Sequence, residues 1–257
     1  MKQCWNMIVA IFLATAGFAG WGQMASEALA EETHVAIASN FTATAKEIAA
    51  AFERETGHKA VLSFGSTGKL FTQIANGAPF QVFLAADTKH PEKAEAEGLA
   101  VTGTRFTYAT GKIVLYSSNP ELVDKAGKVL ETPAKFAKLA IANPMTAPYG
   151  TASIKTMEAL GVYAGVKEKI VQGDNIAQTY QFVATGNAQL GFIALSQVVA
   201  DTRGSKWVVP SNLYTPIKQD AVLLKTGAES KPAKAFLTFL RGRTALAMIE
   251  KFGYGIQ

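Results

Sequence analysis

Short apolar runs alternate with amphipathic segments from residue 33 onward, and this alternation limits the fold more than any other feature. Residues 34–38 form an apolar run typical of a buried strand, and residues 42–55 follow with Ile48 and Phe52 on one helical face. The same pattern predicts further strands at 60–64, 81–85, 112–116, 138–142 and 190–194, and further helices at 70–76, 152–160, 176–185, 231–241 and 244–251. Strands that alternate with helices predict an α/β protein with doubly wound, mostly parallel sheets.

Two short segments between these elements, residues 106–112 and 216–222, also have strand character. We interpret them as crossovers, by which the chain leaves one lobe and later returns to it. The length of 257 residues allows either one large domain or two of ordinary size. The sequence therefore predicts a two-lobed α/β protein.

The first 30 residues have the composition of a secretory signal peptide. Lys2 precedes an uncharged apolar run over residues 7–19, and the Ala-Leu-Ala at 28–30 is typical of a cleavage site. The run is too short to cross a bilayer, so we expect a secreted mature chain that begins near Glu31. Cleavage would remove Cys4, the single cysteine of the sequence, and leave no disulfide and no thiol.

The charge and the reactive residues argue against several classes of function. The net charge of +5 comes without a concentrated run of lysine and arginine, which argues against nucleic acid as a partner. His34, His58 and His90 are scattered and have no cysteine near them, so no metal site is predicted. Asp87 and Asp174 have no candidate nucleophile beside them, and no catalytic residue is predicted.

The stretch SFGSTGKLF, residues 63–71, is similar to a nucleotide phosphate loop but lacks two of its parts. That motif needs a glycine at the position of Ser63 and a hydroxyl residue at the position of Leu70. We therefore exclude a nucleotide site. The stretch keeps a turn from a strand into a helix, where N–H groups and the helix dipole favour an anion, with Ser66 and Thr67 as hydroxyl donors.

Three other junctions between a strand and a helix carry small polar residues, at 39–42, 148–151 and 173–176. For any single junction, a plain turn with a capping hydroxyl is the commoner explanation. Ligands of open α/β sheets, however, lie at the carboxyl ends of the strands, where such junctions meet. Four junctions, two from each half of the chain, predict a site that surrounds one small anion.

Four segments of the sequence together resemble the periplasmic molybdate-binding proteins, which are the solute receptors of ABC importers. The resemblance extends over residues 33–257, and the segments that carry it are VAIASNFTATAKEIAAAFERETG, SFGSTGKLFTQIANGAPFQVFLAAD, IANPMTAPYGTASIKTMEALG and GDNIAQTYQFVATGNAQLGFI. It implies a periplasmic-binding-protein fold of the second type, with two hinge strands joining lobes built on mixed, mostly parallel sheets. It also implies a non-enzymatic receptor without a cofactor, whose ligand is molybdate, and tungstate as well.

The resemblance implies six oxyanion-binding residues, which are Ser39, Asn40, Ser66, Thr67, Tyr149 and Ile176. Tyr149 and Ile176 would contribute backbone N–H groups, whereas the choice between Ser66 and Thr67 as the main hydroxyl donor stays open. Some relatives use a tyrosine where this chain has Ala194. A subgroup takes the phenol from the position of Tyr149 instead, so we expect Tyr149 to offer its O–H as well.

The resemblance further implies the domain organisation and the partners. Residues 1–30 would be the signal peptide, 31–109 and 219–257 lobe I, and 110–218 lobe II. The expected location is the periplasm, the expected partners are the oxyanion and an inner-membrane ABC permease, and the expected state is a monomer. Two alternatives are a sulfate or thiosulfate receptor and a secreted ester hydrolase, the latter without a visible nucleophile or metal cluster.

Overall fold

The computed structural model describes residues 30–256, so the predicted signal peptide lies outside the described residues except for Ala30. The strands within this range are Glu32–Ala38 (β1), Lys59–Gly65 (β2), Val82–Leu84 (β3), Phe106–Gly111 (β4), Ile113–Ser117 (β5), Leu139–Ala142 (β6), Ile170–Gly173 (β7), Leu190–Ala194 (β8), Ser205–Val208 (β9) and Ile217–Leu223 (β10). The α-helices are Thr42–Thr56 (α1), Thr67–Ala75 (α2), Lys89–Ala96 (α3), Pro148–Ala159 (α4), Tyr163–Val166 (α5), Ile176–Ala184 (α6), Lys231–Leu240 (α7) and Arg243–Lys251 (α8).

The strands form two five-stranded sheets, in the orders β2-β1-β3-β10-β4 and β7-β6-β8-β5-β9. In the first sheet β1 is parallel to β2 and β3, and β10 is antiparallel to β3 and β4. In the second, β6 is parallel to β7 and β8, and β5 is antiparallel to β8 and β9. The predicted two-lobed fold with mixed sheets is confirmed. Antiparallel neighbours are as frequent as parallel ones, because β5 and β10 enter their sheets in the reverse direction after a crossover.

The two predicted crossovers are β4 and β10, which pair with each other and shift register between Gln219 and Asp220. Only Lys112 separates β4 from β5 of the other sheet. At the shift, Arg105 Nη1 donates to Asp220 Oδ2 at 2.8 Å, and Thr107 Oγ1 donates to Oδ1 at 2.7 Å. The hinge strands are therefore tied together by side chains as well as by backbone. The predicted lobe boundaries, which fall within or beside these strands, stay a prediction.

The first junction is anchored to the core by Phe41, which has no exposed surface. Its ring packs edge-on against Tyr108 and Tyr254, with centroid distances of 5.0 and 5.3 Å. Tyr108 belongs to β4, and Tyr254 lies in the segment that follows α8. Ser39 and Asn40 precede Phe41 in a 3-10 turn, so this aromatic contact fixes their position against the hinge and the C-terminal segment.

Helices α2 and α4 begin earlier than the sequence predicts, and the difference matters for the site. The sequence predicts starts at residues 70 and 152, whereas the helices begin at Thr67 and Pro148. The apolar periodicity starts later than each helix because the first turns carry small and polar residues, and proline is favourable at the first helical position. Thr67 and Tyr149 therefore lie in first turns, where N–H groups lack an acceptor within the helix.

The sequence does not predict β7 and β9, which are four-residue strands at the edges of the second sheet. Both contain exposed or half-buried residues, so neither forms a continuous apolar run. Edge strands of this length leave little signal in a sequence. Across residues 30–256, no helix is both long and apolar enough to span a bilayer.

Candidate functional site

The residues predicted to bind an anion line one small cavity between the two lobes. Its walls are Ala38, Ser39, Asn40, Gly65, Ser66, Thr67, Ala86, Ala147, Pro148, Tyr149 and Ile176. The space open to the centre of a water-sized sphere is about 10 Å³, which is room for about one small group. All six residues named from the sequence are therefore brought together, and the junctions around them belong to both halves of the chain.

Three α-helices begin at this cavity, and their first turns supply unpaired backbone donors. Thr67, Tyr149 and Ile176 lie in the first turns of α2, α4 and α6, and the N–H group of each donates to no acceptor within residues 30–256. Helix α6 is capped by Asn175, whose side chain accepts from the N–H groups of Ala177 and Gln178, which leaves the N–H of Ile176 uncapped. Three converging helix N-termini concentrate N–H groups and positive dipole ends at one point, which favours an anion.

Ser66 is a buried hydroxyl without a hydrogen-bond partner in the described part of the chain. It occupies the N-cap position of α2, where a serine usually bonds to the first turn, yet it makes no capping bond. Its neighbour Thr67 accepts a hydrogen bond from the N–H of Ala86 at 3.0 Å, so its own proton is still available. Both hydroxyls can therefore donate into the cavity, and Ser66 has no other bond to make.

The side chain of Asn40 makes its hydrogen bonds within the protein. Its amide nitrogen donates to Gln219 Oε1 at 2.8 Å and to the hydroxyl of Tyr254 at 3.0 Å, so both amide protons are in use. Its backbone carbonyl accepts from Ser196 Oγ at 2.9 Å and from the Tyr254 hydroxyl at 2.8 Å. The side chain holds the junction in place, and the donor that remains for a ligand is the backbone N–H.

Tyr149 lies deep in the cleft with 1% of its surface exposed. Its phenol oxygen accepts a hydrogen bond from Gln219 Nε2 at 3.4 Å. Burial raises the pKa of this phenol well above its usual range, and the neighbouring Tyr254 raises it further. The Tyr149 side chain is therefore a neutral O–H donor at every pH near neutrality.

Among residues 30–256, no carboxylate, lysine, arginine or histidine lines the cavity. Asp174 pairs with Lys69 of the other lobe, with Nζ and Oδ1 3.1 Å apart, and Asn175 makes the N-cap of α6. Lys69 is half-exposed and forms this contact between the lobes. The cavity thus offers hydrogen-bond donors without an acidic acceptor, which suits an anion that carries no proton.

A wider groove adjoins the cavity and shares Ala86, Ala147 and Pro148 with it. The groove measures about 600 Å³, is open to solvent, and has Asp87 and His90 on one wall. His90 Nδ1 lies 2.8 Å from Asp87 Oδ2, so these two polar groups already have each other as partners. An open groove of this size would not enclose one small anion, and we place the candidate site in the smaller cavity.

Sequence reasoning missed Gln219, Ser196 and Tyr254, which surround Asn40. Gln219 is the middle one of three consecutive polar residues, 218–220, in the second crossover, so the sequence does not single it out, although it is fully buried. Ser196 and Tyr254 gave no local signal, because they reach Asn40 from distant parts of the chain. Within residues 30–256, no group of three or more His, Cys, Asp or Glu side chains could hold a metal ion.

Comparison with known proteins identifies the relatives of this chain. A family described as bacterial extracellular solute-binding protein matches residues 33–255. The molybdate-binding protein ModA of Azotobacter vinelandii is 54% identical over 93% of this chain and 95% of its own length, and that of Rhodobacter capsulatus is 53% identical over 90% and 91%. The solved periplasmic molybdate-binding protein of Azotobacter vinelandii has a TM-score of 0.84 at 42% identity, covering 88% of this chain and 99% of that one. The resemblance predicted from the sequence is confirmed, and the chain belongs to the family of bacterial extracellular solute-binding proteins.

Proposed function

We propose that this chain is a periplasmic receptor that binds molybdate, and tungstate as well, in the cavity between its lobes and delivers it to an ABC permease. The observation that carries the proposal is the lining of the cavity, which combines helix N-termini and hydroxyls and, in the described part of the chain, includes no carboxylate. The names of relatives more than 50% identical over nine-tenths of the chain support the same ligand. The predicted signal peptide supports the periplasmic location, and we propose a monomeric receptor.

Molybdate is a tetrahedral dianion whose four oxygens carry no proton at neutral pH, so it needs only donors. The cavity can supply the N–H groups of Asn40, Thr67, Tyr149 and Ile176 in addition to side-chain hydroxyls. Hydrogen bonds to a charged group contribute roughly 1.5–3 kcal/mol each, so about six donors give on the order of 10–15 kcal/mol before desolvation. Submicromolar binding needs about 8 kcal/mol net. Phosphate is partly protonated near neutrality and would need an acceptor that the lining lacks.

Three contacts across the cleft support a mechanism in which the lobes close on the ion. The N–H of Gly68 donates to the carbonyl of Thr146 at 2.9 Å, and Lys69 pairs with Asp174. The third contact is the hydrogen bond from Ser196 Oγ to the carbonyl of Asn40. Closure about β4 and β10 would bury the ion and give the permease a surface that the open form lacks. The described residues that line the cavity include no activated nucleophile, and we propose binding and not turnover.

A thermal-shift screen of tetrahedral oxyanions tests this proposal on the mature chain. Because a ligand that binds only the folded state raises its stability, we expect molybdate and tungstate to raise the melting temperature at micromolar concentration. Sulfate, thiosulfate and phosphate serve as matched anions and should have little effect at the same concentration. A shift with sulfate and none with molybdate would overturn the proposal in favour of the sulfate receptor.

A further inference from the structure

Gln219 stands at the centre of a hydrogen-bond network that links the two lobes and the hinge. It lies on β10 beside the register shift and has no exposed surface. Its Oε1 accepts from Asn40 Nδ2 at 2.8 Å and from the Tyr108 hydroxyl at 3.1 Å. Its Nε2 donates to the Tyr149 phenol oxygen at 3.4 Å, the longest of the three bonds. One amide therefore contacts the first junction, the other hinge strand and the lobe II side of the cavity.

The amide of Gln219 is closely packed on the side of the hinge strand β4. Gly111 ends β4 beside the network, and a methyl group built at this glycine would overlap the Tyr149 hydroxyl and lie 2.7 Å from Gln219 Nε2. The phenol and the amide are thus packed directly against the hinge backbone. Glycine is required here because these side chains approach the backbone closely. Its backbone conformation is not the reason, because its φ lies outside the left-handed region.

The direction of the Gln219 amide determines what the Tyr149 proton can do. Because Oε1 faces the Asn40 amide nitrogen, the opposite orientation would place two NH₂ groups against each other, so Nε2 is directed to Tyr149. A phenol has one proton, and its oxygen can accept while that proton is donated elsewhere. Since the Tyr149 oxygen accepts from Gln219, its proton is not used by the network and is available to a ligand.

We propose that Gln219 is a positioning residue for oxyanion binding, which orients the Tyr149 phenol as a donor and holds the Asn40 junction beside it. The inference rests on the proposed function, since it concerns the same ligand. A glutamate at this position would have two acceptor oxygens and would take the Tyr149 proton away from the ligand. A methionine would have neither donor nor acceptor of comparable strength and would leave the phenol unoriented.

The test is a double-mutant cycle measured by isothermal titration with molybdate. Gln219→Met should weaken binding about tenfold or more in the native background, but about threefold or less in the Tyr149→Phe background, where the phenol is absent. Gln219→Glu should weaken binding more than Gln219→Met. Gln189→Glu is the matched control, because Gln189 accepts from the N–H groups of Ala137 and Lys138 in lobe II and does not line the cavity. This control should bind like the native chain.

Gly111→Ala tests the same network without changing Gln219, and it decides the question if the buried carboxylate of the Gln219→Glu variant prevents folding. It should weaken molybdate binding in the native background and weaken it less in the Tyr149→Phe background, where the hydroxyl that the methyl group overlaps most is absent. Equal losses in both backgrounds, or no loss in either, would show that Gln219 does not act through Tyr149. If the native chain itself does not bind molybdate, the proposed function fails. That result is distinct from a failure of the double-mutant cycle, which requires a native chain that binds.

Discussion

At the scale of single residues, Ser66 is buried at a helix N-terminus without capping it. A buried hydroxyl without a partner costs roughly 1–3 kcal/mol of folding free energy. Such a cost is understandable where a ligand supplies the missing partner. In this cavity, a deprotonated oxyanion would accept the bond that the described chain does not offer.

We predict that Ser66→Ala weakens molybdate binding by about 1.5–3 kcal/mol, the contribution of one hydrogen bond to a charged group. The ligand-free variant should be as stable as the native chain or more stable, because an unsatisfied polar group is removed. Thr67→Ala is the comparison, because it also removes the acceptor of the Ala86 N–H and should lower both affinity and stability. Titration calorimetry and thermal melts measure both quantities. Native affinity in Ser66→Ala would assign the hydroxyl role to Thr67.

We also predict that Tyr149→Phe weakens molybdate binding by about 1–3 kcal/mol, since the phenol is the one aromatic hydroxyl among the described residues that line the cavity. Tyr180→Phe is the matched control, because Tyr180 is a half-buried lobe II tyrosine that does not line the cavity. Equal affinity for Tyr149→Phe and the control would mean that the phenol does not reach the ion.

At the scale of elements, the N-terminus of α2 lies against the loop of residues 143–147 in the other lobe. Gly68 makes the closest approach, with its N–H bonded to the carbonyl of Thr146 at 2.9 Å. A methyl group at Gly68 would lie 3.2 Å from Thr146 Cα and 3.2 Å from its carbonyl oxygen, which are backbone atoms that cannot rotate away. This glycine therefore permits the lobes to meet.

We predict that Gly68→Ala hinders closure and weakens molybdate binding, while the ligand-free lobes keep their stability. Small-angle X-ray scattering should show a smaller decrease of the radius of gyration on adding molybdate than in the native chain. Gly165→Ala is the control, because a methyl group there would lie 3.9 Å from its nearest neighbour, Pro133. A native decrease together with native affinity would contradict a role for this contact in closure.

The elements also show which parts of the site a sequence can reveal. Small polar residues at the starts of predicted helices predict the four junctions, and the carboxyl ends of the strands of an open α/β sheet are where such junctions meet. The early starts of α2 and α4 are missed, since their first turns lack the apolar periodicity on which a helix prediction depends. Gln219 and Tyr254 are missed for a different reason. Their bonds to Asn40 join residues more than 170 positions apart, and local patterns contain no information on such pairs.

At the scale of the complete fold, Tyr108, Tyr149 and Tyr254 are buried together where the lobes and the hinge meet. Burial raises the pKa of all three phenols above the ordinary value of 10.0. A group whose pKa is raised on folding contributes its full stabilisation at pH values below its pKa in the unfolded state. This contribution is lost as the pH rises from the unfolded-state pKa through the folded-state pKa.

We therefore predict that the free energy of unfolding falls steeply above about pH 10, the ordinary pKa of tyrosine. Urea denaturation of the ligand-free chain at pH 8 and at pH 11 would measure the difference. Molybdate affinity should be nearly constant from pH 7 to pH 9, because the described residues that line the cavity include no lysine, histidine or carboxylate. A marked change of affinity within that interval would point to a titrating group at the ligand.

The proposed function requires that a cavity of donors between two lobes binds a deprotonated tetrahedral oxyanion. Isothermal titration of the mature native chain with molybdate, followed by competition with sulfate, measures this binding without any substitution. We expect one site per chain, a dissociation constant below about 1 μM, consistent with about 8 kcal/mol or more of binding free energy, and no displacement by sulfate at a hundredfold excess. Absence of heat with molybdate, or full displacement by sulfate, would contradict the proposal.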